Sequence, residues 1–139
     1  MDKENKLVPG LPSGFEDRWR NKLLLKKKLV KAIEKNFIKF GAEALETPSF
    51  EISENIGSFL AEDDTNPMSG VFSFEDGEKN ITLRYDLSSP LARFVAQNNQ
   101  ELPSIFKRYQ IQNVFRNEKA GNGRYREFMQ ADFDIVGNV

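Results

Sequence analysis

Apolar residues recur along this chain first at helical spacing and later at strand spacing. Leu25, Leu29, Ile33 and Phe37 stand four apart with Val30 beside them, and lysines fill the positions between. That is the stripe of an amphipathic helix, predicted over 16–40. Gly41, suited to the left-handed backbone that closes helices, marks its end. Before it, two prolines and two glycines within 7–14 predict an irregular, turn-rich lead-in. After it, 42–48 is a short extended candidate that stops at Pro48, a residue confined to strand ends and edges. Residues 52–61 are a second, short helix candidate. Next, 71–74 and 81–85 flank the polar stretch 75–80, which predicts a hairpin with a six-residue loop. A helix over 89–97 carries Pro90 in its first turn and Leu91, Phe94 and Val95 on one side. Two longer strands follow, about 105–116 and 124–136, joined by a polar loop containing glycine.

Adjacent antiparallel strands with helices before and between them predict an α+β fold, an antiparallel sheet flanked by helices. Neither a GxGxxG nor a Walker A sequence argues for a doubly wound sheet. The 139 residues match the length of one ordinary domain, and no internal repeat or domain boundary divides them.

Composition narrows the chemistry by subtraction. The chain has no Cys and no His, which excludes a thiolate nucleophile, a zinc finger, a disulfide framework, a Ser-His-Asp triad and an imidazole base. Any reaction must use carboxylates, guanidiniums, amides, hydroxyls and backbone. Lys and Arg number 20 against 21 Asp and Glu, so nucleic acid or membrane attraction has to come from a local patch. The charged start and the absence of a membrane-length apolar run predict a cytoplasmic protein.

Several charged features have ordinary explanations. The lysines on the first helix (Lys26, Lys27, Lys28, Lys31, Lys35, Lys39) read as a solvated face rather than a nucleic-acid stripe, since no aromatic residues are interleaved with them. Asp63 and Asp64 stand in a loop whose spacing matches no calcium site.

The strand faces are more informative. On the last strand, alternation places Tyr125, Met129, Ala131, Phe133 and Ile135 on a core-like side. Arg124, Arg126, Phe128, Gln130, Asp132 and Asp134 fall on the other. The preceding strand puts Arg108, Gln110, Gln112 and Arg116 together, and Thr82, Arg84 and Asp86 share a face on the strand at Ile81. These polar faces are either a half-solvated sheet surface or one side of a single sheet that binds a ligand. The residue types favour a ligand: arginines cluster at both ends of one hairpin loop, with carboxylates and amides further down the same strands. Guanidiniums fork onto phosphate oxygens, and carboxylates hold ammonium or ring N–H groups. Between Ser104 and Phe128, six basic residues face two acidic ones.

These residues carry a resemblance. Val114-Phe115-Arg116-Asn117-Glu118, a short loop, then Gly123-Arg124-Tyr125-Arg126-Glu127-Phe128 and Gln130-Ala131-Asp132-Phe133-Asp134 resemble motif 2 of the histidyl-tRNA synthetases. Leu83-Arg84-Tyr85-Asp86-Leu87-Ser88-Ser89-Pro90 is similar to their amino-acid-binding segment in its eukaryote-like form. Residues 41–48 resemble motif 1, and Leu11-Pro12-Ser13-Gly14-Phe15-Glu16-Asp17 the family's opening segment.

The resemblance implies a class II synthetase core, with motif 1 at about 41–50, the histidine segment at 83–90 and motif 2 at about 105–136. It implies the reaction of histidine with ATP, accompanied by Mg²⁺ and without a protein-bound metal, to histidyl-adenylate, and then acyl transfer to tRNA(His). Arg116 would hold the α-phosphate and the histidine carboxylate, as the catalytic residue. Arg124 would reach the outer phosphates, Phe128 would stack on adenine, and Glu118 would orient the adenine side. Asp86, Leu87 and Ser88 would form the histidine side with Gln130 nearby, Asp86 and Ser88 at the α-amino group. Asp134 would accept an N–H from the imidazole. Homodimerisation through the motif 1 region is implied as well.

Two substitutions depart from the family pattern: Ser88 stands where Thr is frequent, and Asp134 where many bacterial members carry Glu. The family's second histidine segment, motif 3 and anticodon-binding domain have no counterpart in these 139 residues. The expectation is therefore an N-terminal portion of a catalytic domain, inactive by itself. The alternative from another class is a non-catalytic paralogue, the regulatory subunit of ATP phosphoribosyltransferase. Such a relative is expected to lose its ATP-facing residues first, and Arg116, Glu118, Arg124 and Phe128 are all present.

Overall fold

The computed structural model of the chain describes residues 6–56 and 70–137. The first periodic stretch forms helix α1, Arg20–Lys39, four residues shorter at its start than the periodicity suggests. Glu16, outside it, pairs with Arg18 at 3.0 Å and Lys22 at 2.9 Å. Gly41, at φ 79°, ends it as expected: its N–H reaches the Ile38 carbonyl and that of Ala42 reaches Phe37, the two closing bonds of a Schellman cap.

The remaining elements are β1 (Glu43–Ala44), β2 (Phe50–Ile52), α2 (Ser53–Ile56), β3 (Ser73–Asp76), β4 (Lys79–Leu83), α3 (Ser88–Asn98), β5 (Ile105–Phe115) and β6 (Glu127–Gly137). Among the described residues the strands form two three-stranded sheets, β1-β5-β6 and β2-β4-β3, in which only the β1–β5 pairing is parallel. The antiparallel α+β class is as expected. Of the second helix candidate, Ile52 ends β2 instead and 53–56 form α2; its remainder, 57–61, and the acidic loop at 63–67 lie outside the described residues. Among the described residues no helix is long and apolar enough to cross a membrane.

Two expectations are corrected. The β3–β4 hairpin turns on Gly77 and Glu78 alone, because the ladder runs out to Asp76 opposite Lys79 and Gly77 takes φ 59°. All of β3 is exposed, so its polar residues join the ladder without being buried, and polarity there signalled solvent rather than a loop. The polar face of β4 also belongs to a different sheet from that of β5 and β6. Thr82 is buried and shares a hydrogen bond with Ser53 at 2.6 Å. Arg84 donates to the carbonyls of Asn113 and Thr47, while its own carbonyl accepts the Phe115 N–H at 2.9 Å. Arg84 thus joins the two sheets and Thr82 is sealed against α2, so neither belongs to a ligand surface.

The two faces of the β5–β6 ribbon are covered by different elements. One carries Tyr109 and Phe133, against which α1 sets Phe37 at 5.8 Å and 5.6 Å between ring centroids. Only the last turns of α1 make this contact: Leu25 and Leu29 are exposed, as are Ala131 and Ile135 on the strand. The other face holds Phe106, Arg108, Gln110 and Val114, all buried. The expected core side is thus only half covered, and the polar side is the more deeply buried of the two.

Candidate active site

The hairpin between β5 and β6 creates the first half of the site. Arg116 follows β5 directly, and its N–H bonds the Arg126 carbonyl at 2.9 Å, extending the ladder one step towards the loop. Its guanidinium lies 4.2 Å from the Tyr85 ring centre and 5.1 Å from that of Phe128, both within cation–π range. The Tyr85 hydroxyl donates to Glu118 at 2.7 Å. Arg124 is exposed on the loop, where its N–H closes on the Gly121 carbonyl at 3.0 Å. Arg116, Glu118, Gly123, Arg124, Tyr125 and Phe128 line an open cleft of about 660 Å³, within the range of small-molecule sites. All four residues assigned to ATP by resemblance meet there.

Arg126 has a different role from the ligand-facing one that its strand position suggested. It donates to the Ser13 carbonyl at 3.1 Å and to the Asn117 side chain, and lies 4.7 Å from the Phe72 ring centre. Its backbone N–H bonds the Gly14 carbonyl at 2.7 Å. Gly14 takes φ 82°, and a β-carbon added there would lie 2.5 Å from Arg126 Cγ, so glycine is required for the approach. The opening segment therefore clamps the returning arm of the loop.

The second half lies further along the same face. The register sets Val114 opposite Phe128, Gln112 opposite Gln130, Gln110 opposite Asp132 and Arg108 opposite Asp134. The β5 members of these pairs are largely engaged internally. Gln110 donates to the Thr47 hydroxyl at 2.8 Å and to the Gln112 side-chain oxygen at 2.7 Å, which also accepts the Thr47 N–H at 3.0 Å. They secure the corner before Pro48. Among the described residues, the β6 side chains of Gln130 and Asp132 make no hydrogen bond.

Asp86, Leu87 and Ser88 come to this end of the face at the start of α3. The Asp86 carboxylate accepts the Ser89 N–H at 3.2 Å, capping the helix. Ser88 is exposed, whereas Leu87 is fully buried, backbone included, so of these three residues it is the one closed to a ligand. Arg108 is also fully buried; it donates to Asp134 at 2.7 Å and to the Leu87 carbonyl at 2.8 Å. Strand alternation placed Arg108 on this face but gave no signal of its partners, which depend on the β5–β6 register and on where the chain before α3 sets Leu87. Burial pushes the Asp132 carboxyl above its usual range, with nearby Asp134 and Asp86 adding to the effect and Arg108 opposing it.

The face thus runs from open guanidiniums beside an aromatic ring to a cluster of carboxylates around one buried arginine. The first end suits phosphates and a base, and the second suits an ammonium or ring N–H. Among the described residues no group of three or more His, Cys, Asp or Glu could hold a metal ion.

Comparison with known proteins points the same way. The family model for histidyl-tRNA synthetase matches residues 14–139. A histidine–tRNA ligase of Pelagibacter ubique (strain HTCC1062) is 80% identical over 139 residues, 100% of this chain and 30% of that protein. The histidine–tRNA ligase of Rhodopseudomonas palustris (strain BisB18) is 44% identical over 138 residues, 99% of this chain and 26% of that protein. The crystal structure of histidyl-tRNA synthetase from Nostoc sp. PCC 7120 superposes with a TM-score of 0.76 at 30% identity, covering 93% of this chain and 29% of that one. A Bacillus halodurans C structure described as an ATP phosphoribosyltransferase regulatory subunit/histidyl-tRNA synthetase gives a TM-score of 0.78, covering 100% of this chain and 34% of that one; at 24% identity it supports the fold alone. The chain spans about 30% of the length of the first of these curated relatives.

Proposed function

The chain belongs to the histidyl-tRNA synthetase family, and from that premise we propose that its face binds ATP and histidine and forms histidyl-adenylate for transfer to tRNA(His). The reading rests above all on one observation: Arg116, Glu118, Arg124 and Phe128, drawn from both arms of a hairpin, line a single cleft.

At that cleft Arg116 holds the α-phosphate and the histidine carboxylate, and opposes the charge that builds as phosphorus gains a fifth oxygen. Arg124 reaches the outer phosphates, Phe128 stacks on adenine, and Glu118, held by Tyr85, orients the adenine side. Mg²⁺ arrives as the counter-ion of ATP. On the carboxylate side, Asp86 and Ser88 take the α-amino group with Gln130, and Asp134 accepts the imidazole N–H. The two short departures, Ser88 and Asp134, keep the chemistry of the groups they replace. The residues fit a ligase of cytoplasmic protein synthesis that works as a homodimer through the motif 1 region, where β1 is an edge strand and Phe40 and Phe50 are exposed. The regulatory-subunit alternative has only the likeness of fold in its favour.

The test is histidine-dependent ATP–pyrophosphate exchange by the intact protein. Exchange that requires histidine and collapses in Arg116→Ala supports the reading; exchange indifferent to histidine refutes it.

A further inference from the structure

Arg108 lies outside the set of residues assigned to substrate, yet it connects two of its parts. Its side chain is completely buried, within reach of the charges of Asp134, Asp132 and Asp86. One terminal nitrogen donates to Asp134 at 2.7 Å across the β5–β6 ladder, and the other donates to the Leu87 carbonyl at 2.8 Å. Leu87 stands between Asp86 and Ser88. The two segments that bracket the amino acid, 86–88 and Asp134, are far apart in sequence, and a single rigid fork spans them.

A buried arginine serving only the core could spend both arms on backbone carbonyls, as Arg84 does with Asn113 and Thr47. Arg108 instead gives one arm to a carboxylate whose side chain is 43% exposed, so the anchored group also faces outward. The planar guanidinium sets the distance and direction of both bonds at once. A lysine at this position would keep the charge but lose the fork.

We propose that Arg108 is a positioning residue for histidine: it fixes the Asp134 carboxylate and the Leu87 turn relative to each other. Asp134 then presents its remaining oxygen to the imidazole at a set spacing from Asp86 and Ser88. This rests on the histidine reading of the site.

Arg108→Lys and Arg108→Gln in the intact protein test it, through pyrophosphate exchange at varied histidine and varied ATP, with a thermal melt of each variant. Both substitutions should raise KM for histidine roughly tenfold to a hundredfold, the scale of a displacement of about 1 Å. KM for ATP should stay near the wild-type value, because the ATP cleft lies at the other end of the hairpin. An unchanged histidine KM, or equal rises for both substrates, overturns the proposal. Should one variant fail to fold, the other decides; loss of folded protein in both makes Arg108 a structural residue and overturns the proposal as well. Failure of the underlying reading looks different, since wild-type protein would then show no histidine-dependent exchange.

Discussion

Arg116 and Arg108 share one face of the β5 arm, eight positions apart, and are put to opposite uses. Arg116 is half-buried, lies against two aromatic rings and opens onto a cleft. Arg108 is sealed from solvent, with both terminal nitrogens engaged by Asp134 and Leu87. A guanidinium at an open rim keeps part of its hydration and can exchange water for phosphate oxygen. A buried one has already lost its water, and only its partners offset that cost. Releasing Arg108 to a ligand would leave a carboxylate and a carbonyl without their donor. Residue type therefore names a chemistry that is available, and the unspent donors decide where it is used.

The strongest challenge to this contrast is Arg116→Ala. Adenylate formation in the intact protein should fall by about 10²–10³, the usual effect of removing one preorganised donor at a developing charge. Arg116→Lys should recover little of it, because the fork is lost. Single-turnover rates near wild type would remove Arg116 from the chemical step and, with it, the contrast with Arg108.

Phe128→Ala comes next and affects the same end. Stacking of a base on an aromatic ring contributes about 1–3 kcal/mol, so KM for ATP should rise by roughly fivefold to 150-fold. Histidine KM should hardly move, which separates the two ends kinetically; matching rises would merge them.

Gly14→Ala probes how the open end is supported. The left-handed backbone alone costs a side chain about 1–2 kcal/mol, and the added carbon meets Arg126. Urea unfolding of the intact protein should show a lower midpoint, or a separate early transition if the loop releases on its own. A transition identical to wild type would remove the opening segment from the site's support.

The smallest expected effect belongs to Asp132→Asn at the buried end. Burial raises the folded-state pKa of Asp132, so across the titration window the folded protein binds more protons than the unfolded chain. Stability then falls as pH rises through that window, starting from the ordinary value of 3.8. The amide should stabilise at neutral pH, and its advantage should vanish towards acid. An Asn variant less stable than wild type at pH 7 would mean that Asp132 has a favourable partner and that the buried end tolerates charge more easily than its geometry implies.

Much of this was legible in one dimension. The periodicities of α1, α3, β5 and β6 follow from side-chain directions that repeat every 3.6 or 2 residues, and their boundaries were met within a few positions. Alternation also placed Arg116, Phe128, Gln130 and Asp134 on one face, because register along a strand is a local property. The β3–β4 turn was less readable, since polar residues in an exposed ladder look like a loop.

By itself the sequence determined the longer elements, the antiparallel class, the absence of thiol and imidazole side chains from this chain, and the order of the motifs. The tertiary structure alone decided which polar residues were already spent. Arg84, Arg126, Gln110 and Gln112 share residue type and alternation with the ligand-facing set, yet each is held by backbone or side chains from segments distant in the chain. Desolvation and hydrogen-bond partnership depend on what packs across a face, and no period along the chain records that.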